Sequence, residues 1–87
     1  MDINRLVAMA NRIGEFFDAL PDAEQGMRGV ASHIGNNWDP RMRLQLGAYL
    51  DVTAQTGLTP IVERALRTNQ SLWRIAQAPG VSPSSPP

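Results

Sequence analysis

The chain has 87 residues, eight carboxylates balanced by eight arginines with no lysine, a formal net charge of zero, one histidine and no cysteine. That length specifies one domain near the lower limit at which a single hydrophobic core suffices without a disulfide, a metal or a partner. The missing thiols exclude cysteine nucleophiles, thiolate-bound iron–sulfur and zinc sites and disulfides, and the zero charge argues against binding driven by phosphate neutralisation.

Helical periodicity runs through every segment and strand alternation through none, so the expected fold is all-α: a small bundle of about four short helices. The first helix is expected from Asp2 or Ile3 to Ala19, capped by Asp2, with Asn4, Ala8, Asn11, Glu15 and Asp18 on one polar stripe flanked by Arg5 and Arg12. Its apolar arc covers about half the circumference, wider than the stripe of about 100° that a surface helix needs. Either this helix is central to its own bundle or one edge is buried by another subunit. Phe16, with Met9 and Leu20, lies on one such edge, and Ile3, Val7 and Gly14 lie on the other.

Pro21 and Asp22 open a second helix running to about Asn36, with Ala23, Gly26, Met27, Val30, Ala31 and Ile34 on one face and His33 beside it. Gly26 and Gly29 each weaken a helix by roughly 1 kcal/mol relative to alanine, which is understandable if at least one of them permits close backbone packing. His33 alone does not supply the several ligands a metal site draws on and is expected at the surface or the core edge.

The third helix begins in NNWDPRMR, residues 36–43. Asp39 can accept the free N–H groups of the first turn, Pro40 suits the first helical position, and Trp38 stands where an apolar side chain can staple onto that turn. Arg41 and Arg43 oppose the helix dipole, so they are either solvated or matched by a partner surface. The helix should bury Met42, Leu46, Tyr49 and Leu50, with Thr53 at the edge, while Leu44 and Ala48 point elsewhere; Gly57 then acts as a helix stop. Thr59 and Pro60 repeat the cap-plus-proline pattern and begin a fourth helix with Ile61, Val62, Ala65, Leu66, Leu72, Trp73 and Ala76 on one face. Asn69 falls in the middle of that face, so the packed part ends near Thr68 or the amide has a specific partner. The expected helical domain is 1–78, followed by a disordered Pro/Ser-rich tail over 79–87.

No nucleophile elbow, zinc-protease, P-loop or dinucleotide motif occurs, and Asp2, Asp22 and Asp39 occupy cap positions, so no active site is expected in this chain. No apolar run is long enough to span a bilayer and no signal peptide is recognisable, so the expected location is cytoplasmic. Arginine without lysine suits protein contacts, although a GC-rich genome gives the same bias.

Taken in order, MANRIGEFF at 9–17, GVASHIGNNWDPRMR at 29–43 and GLTPIVERAL at 57–66 make the chain resemble the delta subunit of NAD-dependent, molybdenum- or tungsten-containing formate dehydrogenases. Asn37 departs from the family pattern, which often has an aromatic or apolar residue before the tryptophan. The resemblance implies a non-catalytic small subunit of a complex that converts formate and NAD to CO2 and NADH. It further implies that the bis-pterin molybdenum or tungsten cofactor, iron–sulfur clusters, FMN and the NAD site belong to other subunits, with no cofactor in this one. The implied partners are the catalytic (alpha) subunit and, through it, the diaphorase-like subunits, with neither nucleic acid nor membrane involved.

The expected work of the chain is docking on the catalytic subunit and stabilising it. The alternatives are an assembly factor for cofactor insertion and a small helical nucleic-acid-binding regulator. The candidate partner-binding residues are Trp38, Pro40, Arg41, Arg43 and Leu44 at the start of the third helix, because tryptophan and arginine dominate interface hot spots, together with Phe16 on the first.

Overall fold

A computed structural model describes residues 2–70, which form α1 (Ile3–Asp18), α2 (Ala23–Asn37), α3 (Pro40–Val52) and α4 (Pro60–Thr68), with no strand among the described residues. Three helices start on an aspartate. The Asp2 carboxylate accepts the Asn4 N–H at 3.0 Å, Asp22 those of Glu24 and Gln25 at 3.0 and 3.4 Å, and Asp39 that of Met42 at 3.0 Å. Each satisfies donors that the first turn leaves without an intrahelical acceptor.

α4 departs from that pattern. Thr59 occupies the cap position and Pro60 the first turn, but the Thr59 hydroxyl makes no cap bond; it is buried without a hydrogen-bond partner. The Thr59 N–H is instead taken by Asn11 of α1. Gly57 also differs from expectation. α3 ends at Val52 with Thr53 as its C-cap, and Gly57 sits farther along the loop at φ +82°, a left-handed conformation that glycine adopts without a Cβ penalty.

α1 packs against α2, α3 and α4, and α2 also packs against α4. This central position accounts for most of the wide apolar arc: Leu6, Ala10 and Gly14 are buried in its middle, while Ile3, Val7, Met9, Ile13 and Phe17 are partly buried against the core. Val30, Ile34, Leu46, Leu50, Val62 and Leu66 complete the buried interior with Trp38, Leu58 and Ala65. Ala23, expected on the inner face of α2, is exposed at the helix start.

Close approach of the helices depends on missing side chains. A Cβ added to Gly14 would lie 2.5 Å from Val62 Cγ2, and one added to Gly26 would lie 2.8 Å from the Phe17 carbonyl oxygen. At Gly29 it would run into the Phe17 ring. The two α2 glycines thus give up helix propensity to let α1 settle onto α2.

α4 ends at Thr68, and Asn69 closes it: the Asn69 N–H donates to the Leu66 carbonyl at 3.3 Å and its side-chain Nδ2 to the Ala65 carbonyl at 2.7 Å. The packed helix therefore stops where the periodicity first met a polar residue, and the amide also has its partner. The expectations for Leu72, Trp73 and Ala76, and for the tail over 79–87, lie outside the described residues.

Candidate docking surface

Most carboxylates of the described residues cap a helix or pair with a nearby arginine rather than gather at one place. Asp2, Asp22 and Asp39 cap helices, Glu63 pairs with Arg67 at 2.8 Å, and Glu24 pairs with Arg28 at 3.9 Å. Among the described residues no three His, Asp or Glu side chains converge as a metal site requires. An open hollow of about 350 Å³ lies beside α4, lined by Leu58, Pro60, Glu63, Arg64 and Arg67, and the Glu63–Arg67 pair forms part of its wall. No helix of the described residues is long and apolar enough to cross a membrane.

The segment that begins α3 splits between the interior and the surface. Trp38 is the C-cap of α2, its N–H bound to the Ile34 carbonyl at 3.0 Å, and it is only 6% exposed within the chain's own core. A partner could bury almost nothing more of it, so the Trp38 indole belongs to the chain's own core, contrary to its expected part as an interface anchor. Asn37, the departure in the family motif, is exposed and donates to the His33 carbonyl at 2.9 Å, which leaves the Trp38 packing undisturbed.

Arg41 and Arg43 are two residues apart on a helix and so leave it in nearly opposite directions. Arg41 is exposed, as is Pro40, and Leu44 is half-buried. Arg43 is half-buried, and its Nε is shut off from solvent without a hydrogen-bond acceptor. An unmet buried donor is costly, so Arg43 is a point of local frustration in the free chain. The two arginines therefore do not share one surface. Pro40, Arg41 and Leu44 are the members of this group that present area outward, and exposed Ala48 and 85%-exposed Val52 continue from Leu44 at four-residue steps.

Phe16 stands apart from α3, on α1. It is 70% exposed, and its ring meets that of Phe17 edge to face, with centroids 4.9 Å apart and planes at 89°. The Phe17 ring in turn lies 6.4 Å from that of His33, which is exposed on α2. The row Phe16–Phe17–His33 thus runs from the solvent side of α1 across its seam with α2.

Three polar groups that position this architecture escaped the sequence reading. Asn11, assigned to the polar stripe, binds the loop before α4 through both ends of its amide. Thr56 is 4% exposed and its hydroxyl accepts the Leu58 N–H at 3.1 Å, while the Tyr49 hydroxyl donates to the Thr56 carbonyl at 2.9 Å. The available signal was weak: an asparagine in a helix interior, where it is a poor helix former, usually has another task.

Residues 5–66 match the model of the NADH-dependent formate dehydrogenase delta subunit family, FdsD, and the chain belongs to that family. All three sequence motifs lie within the matched residues. No curated protein and no solved structure matches the chain.

Proposed function

We propose that this member of the delta-subunit family is an accessory subunit of an NAD-dependent formate dehydrogenase, and that it docks on the catalytic subunit and stabilises its mature, cofactor-loaded form. Binding the mature state in preference to immature or unfolded states shifts the equilibrium by mass action, with no chemistry asked of the bound chain. The redox groups, namely the bis-pterin molybdenum or tungsten cofactor, iron–sulfur clusters and FMN, together with the NAD site, are assigned to the other subunits. The absence of cysteine from this chain agrees with that division.

The observation that carries the docking reading is the arrangement of α3. Its main helix neighbour is α1, and it turns Pro40, Arg41 and Leu44 outward, followed by Ala48 and Val52. Arg41 has no carboxylate within ion-pair distance among the described residues and adds its charge to the positive end of the helix dipole. A partner carboxylate beside Leu44 and Arg41 would relieve both conditions.

The test is expression of the enzyme complex with and without this chain. The expected result is copurification at a fixed ratio with active enzyme, and faster loss of activity from the complex that lacks it. Equal stability and equal cofactor content without the chain would overturn the reading. Lower cofactor content in its absence, with no chain retained in mature enzyme, would assign it to assembly instead.

A further inference from the structure

We infer that the ridge of α1 formed by Arg5, Met9, Arg12 and Phe16 is a second docking surface, whose occupant is a helix of a partner subunit that alternates apolar side chains with carboxylates. This rests on the docking reading above and adds both a different helix and the chemistry of the bound segment.

The four residues follow one another at steps of four, three and four, the spacing that keeps side chains on a single line along a helix and that forms the seam of paired helices. Arg5, Arg12 and Phe16 are exposed, while Met9 is half-buried and packs partly against the core, so the line runs along the outer margin of the α1 core contacts. Phe16 is the bulkier of the two large hydrophobic side chains exposed among the described residues. Its edge-on contact with Phe17 orients the ring before any partner arrives, so less conformational freedom is lost on binding.

The charges specify the partner. Among the described residues neither Arg5 nor Arg12 has a carboxylate within ion-pair distance. The acids of α1 itself, Glu15 and Asp18, lie on the polar stripe that Arg5 and Arg12 border, and neither forms an ion pair with them, so both guanidinium groups remain available beside the exposed aromatic. A facing helix with apolar residues opposite Met9 and Phe16 and carboxylates opposite the arginines would bury the ring and pair both guanidinium groups. A second copy of the chain fits poorly, because two such ridges would bring four guanidinium groups onto one seam. Two cations interleaved with methionine and phenylalanine also lack the charge density that a phosphate backbone requires.

The experiment uses the assembled enzyme, purified with the wild-type chain, with Arg5→Glu combined with Arg12→Glu, with Phe16→Ala, or with Asn4→Ala on the other flank as control. Association is measured over a range of salt. The expected result is at least about a tenfold loss of affinity for the first two variants, none for the control, and a salt dependence that is reduced when the arginines are reversed. A photoreactive benzoyl-phenylalanine in place of Phe16 keeps an aromatic ring there and reports contact directly; it is expected to crosslink to a partner helix bearing Asp or Glu three or four residues from the attachment point. Failure of the wild-type chain to copurify would overturn the docking reading itself. A wild-type chain that copurifies while the ridge variants bind equally well would overturn this inference alone, as would a crosslink to a second copy or to a segment without carboxylates.

Discussion

Asn11 and Thr59 are joined across 48 positions of sequence: the Asn11 Oδ1 accepts the Thr59 N–H at 2.9 Å, while the Asn11 Nδ2 donates to the Gly57 carbonyl at 3.0 Å. One side chain in the middle of α1 thereby sets where the loop after α3 turns and where α4 begins. Tyr49 and Thr56 hold the same loop from within, so a stretch without secondary structure is tied at several points.

Asn11→Ala is expected to lower stability by about 1–3 kcal/mol, because it leaves the part-buried Thr59 N–H without its acceptor. Asn11→Asp keeps the acceptor and loses the donor, so its loss should be smaller. Urea unfolding of the free chain monitored by circular dichroism checks both; equal stability of Asn11→Ala and wild type would show that the loop does not depend on this amide.

Gly26→Ala sets two effects against each other. Alanine favours the helix by about 1 kcal/mol, but its methyl group would sit 2.8 Å from the Phe17 carbonyl oxygen, a backbone atom that moves only if α1 shifts. The expected outcome is net destabilisation of roughly 1 kcal/mol or more, read from the thermal midpoint. A stabilised variant would mean that the α1–α2 seam adjusts at little cost.

Trp38→Ala and Arg41→Ala should separate folding from docking. Removing the buried indole should cost about 3–5 kcal/mol of stability, enough to unfold much of a small domain in the free state. Arg41→Ala removes an exposed side chain, so stability should change by no more than about 0.5 kcal/mol while affinity for the catalytic subunit falls. Paired measurements of free-chain folding and complex formation give the comparison; a fully folded Trp38→Ala chain would contradict its place in the core.

Arg43→Met should be neutral or stabilising for the free chain, by up to about 1 kcal/mol, since it replaces a shielded donor lacking an acceptor with an apolar side chain of similar length. Clear destabilisation of the free chain would show that the guanidinium is satisfied there after all.

The starts of α1, α2 and α3 were legible in the sequence because an aspartate cap acts on N–H groups only two or three residues away, within reach whatever the rest of the chain does. The inner faces of the helices were legible for a similar reason: the repeats of Leu46 with Leu50 and of Val30 with Ile34 follow from helix geometry alone. The motifs carried the family relationship in the same local way. Tertiary structure decided which apolar edge found a partner within the chain. It placed Trp38 against the core and left Phe16 in solvent, although both are aromatics at the margin of a helix. It also turned Asn11 from a solvent-facing stripe residue into the clasp of the α4 loop and left Thr59 without its cap bond. These outcomes depend on where a second segment arrives in space. A side chain at the rim of a helix is buried or exposed according to the neighbour that packs there, and the sequence near that side chain holds no record of that neighbour.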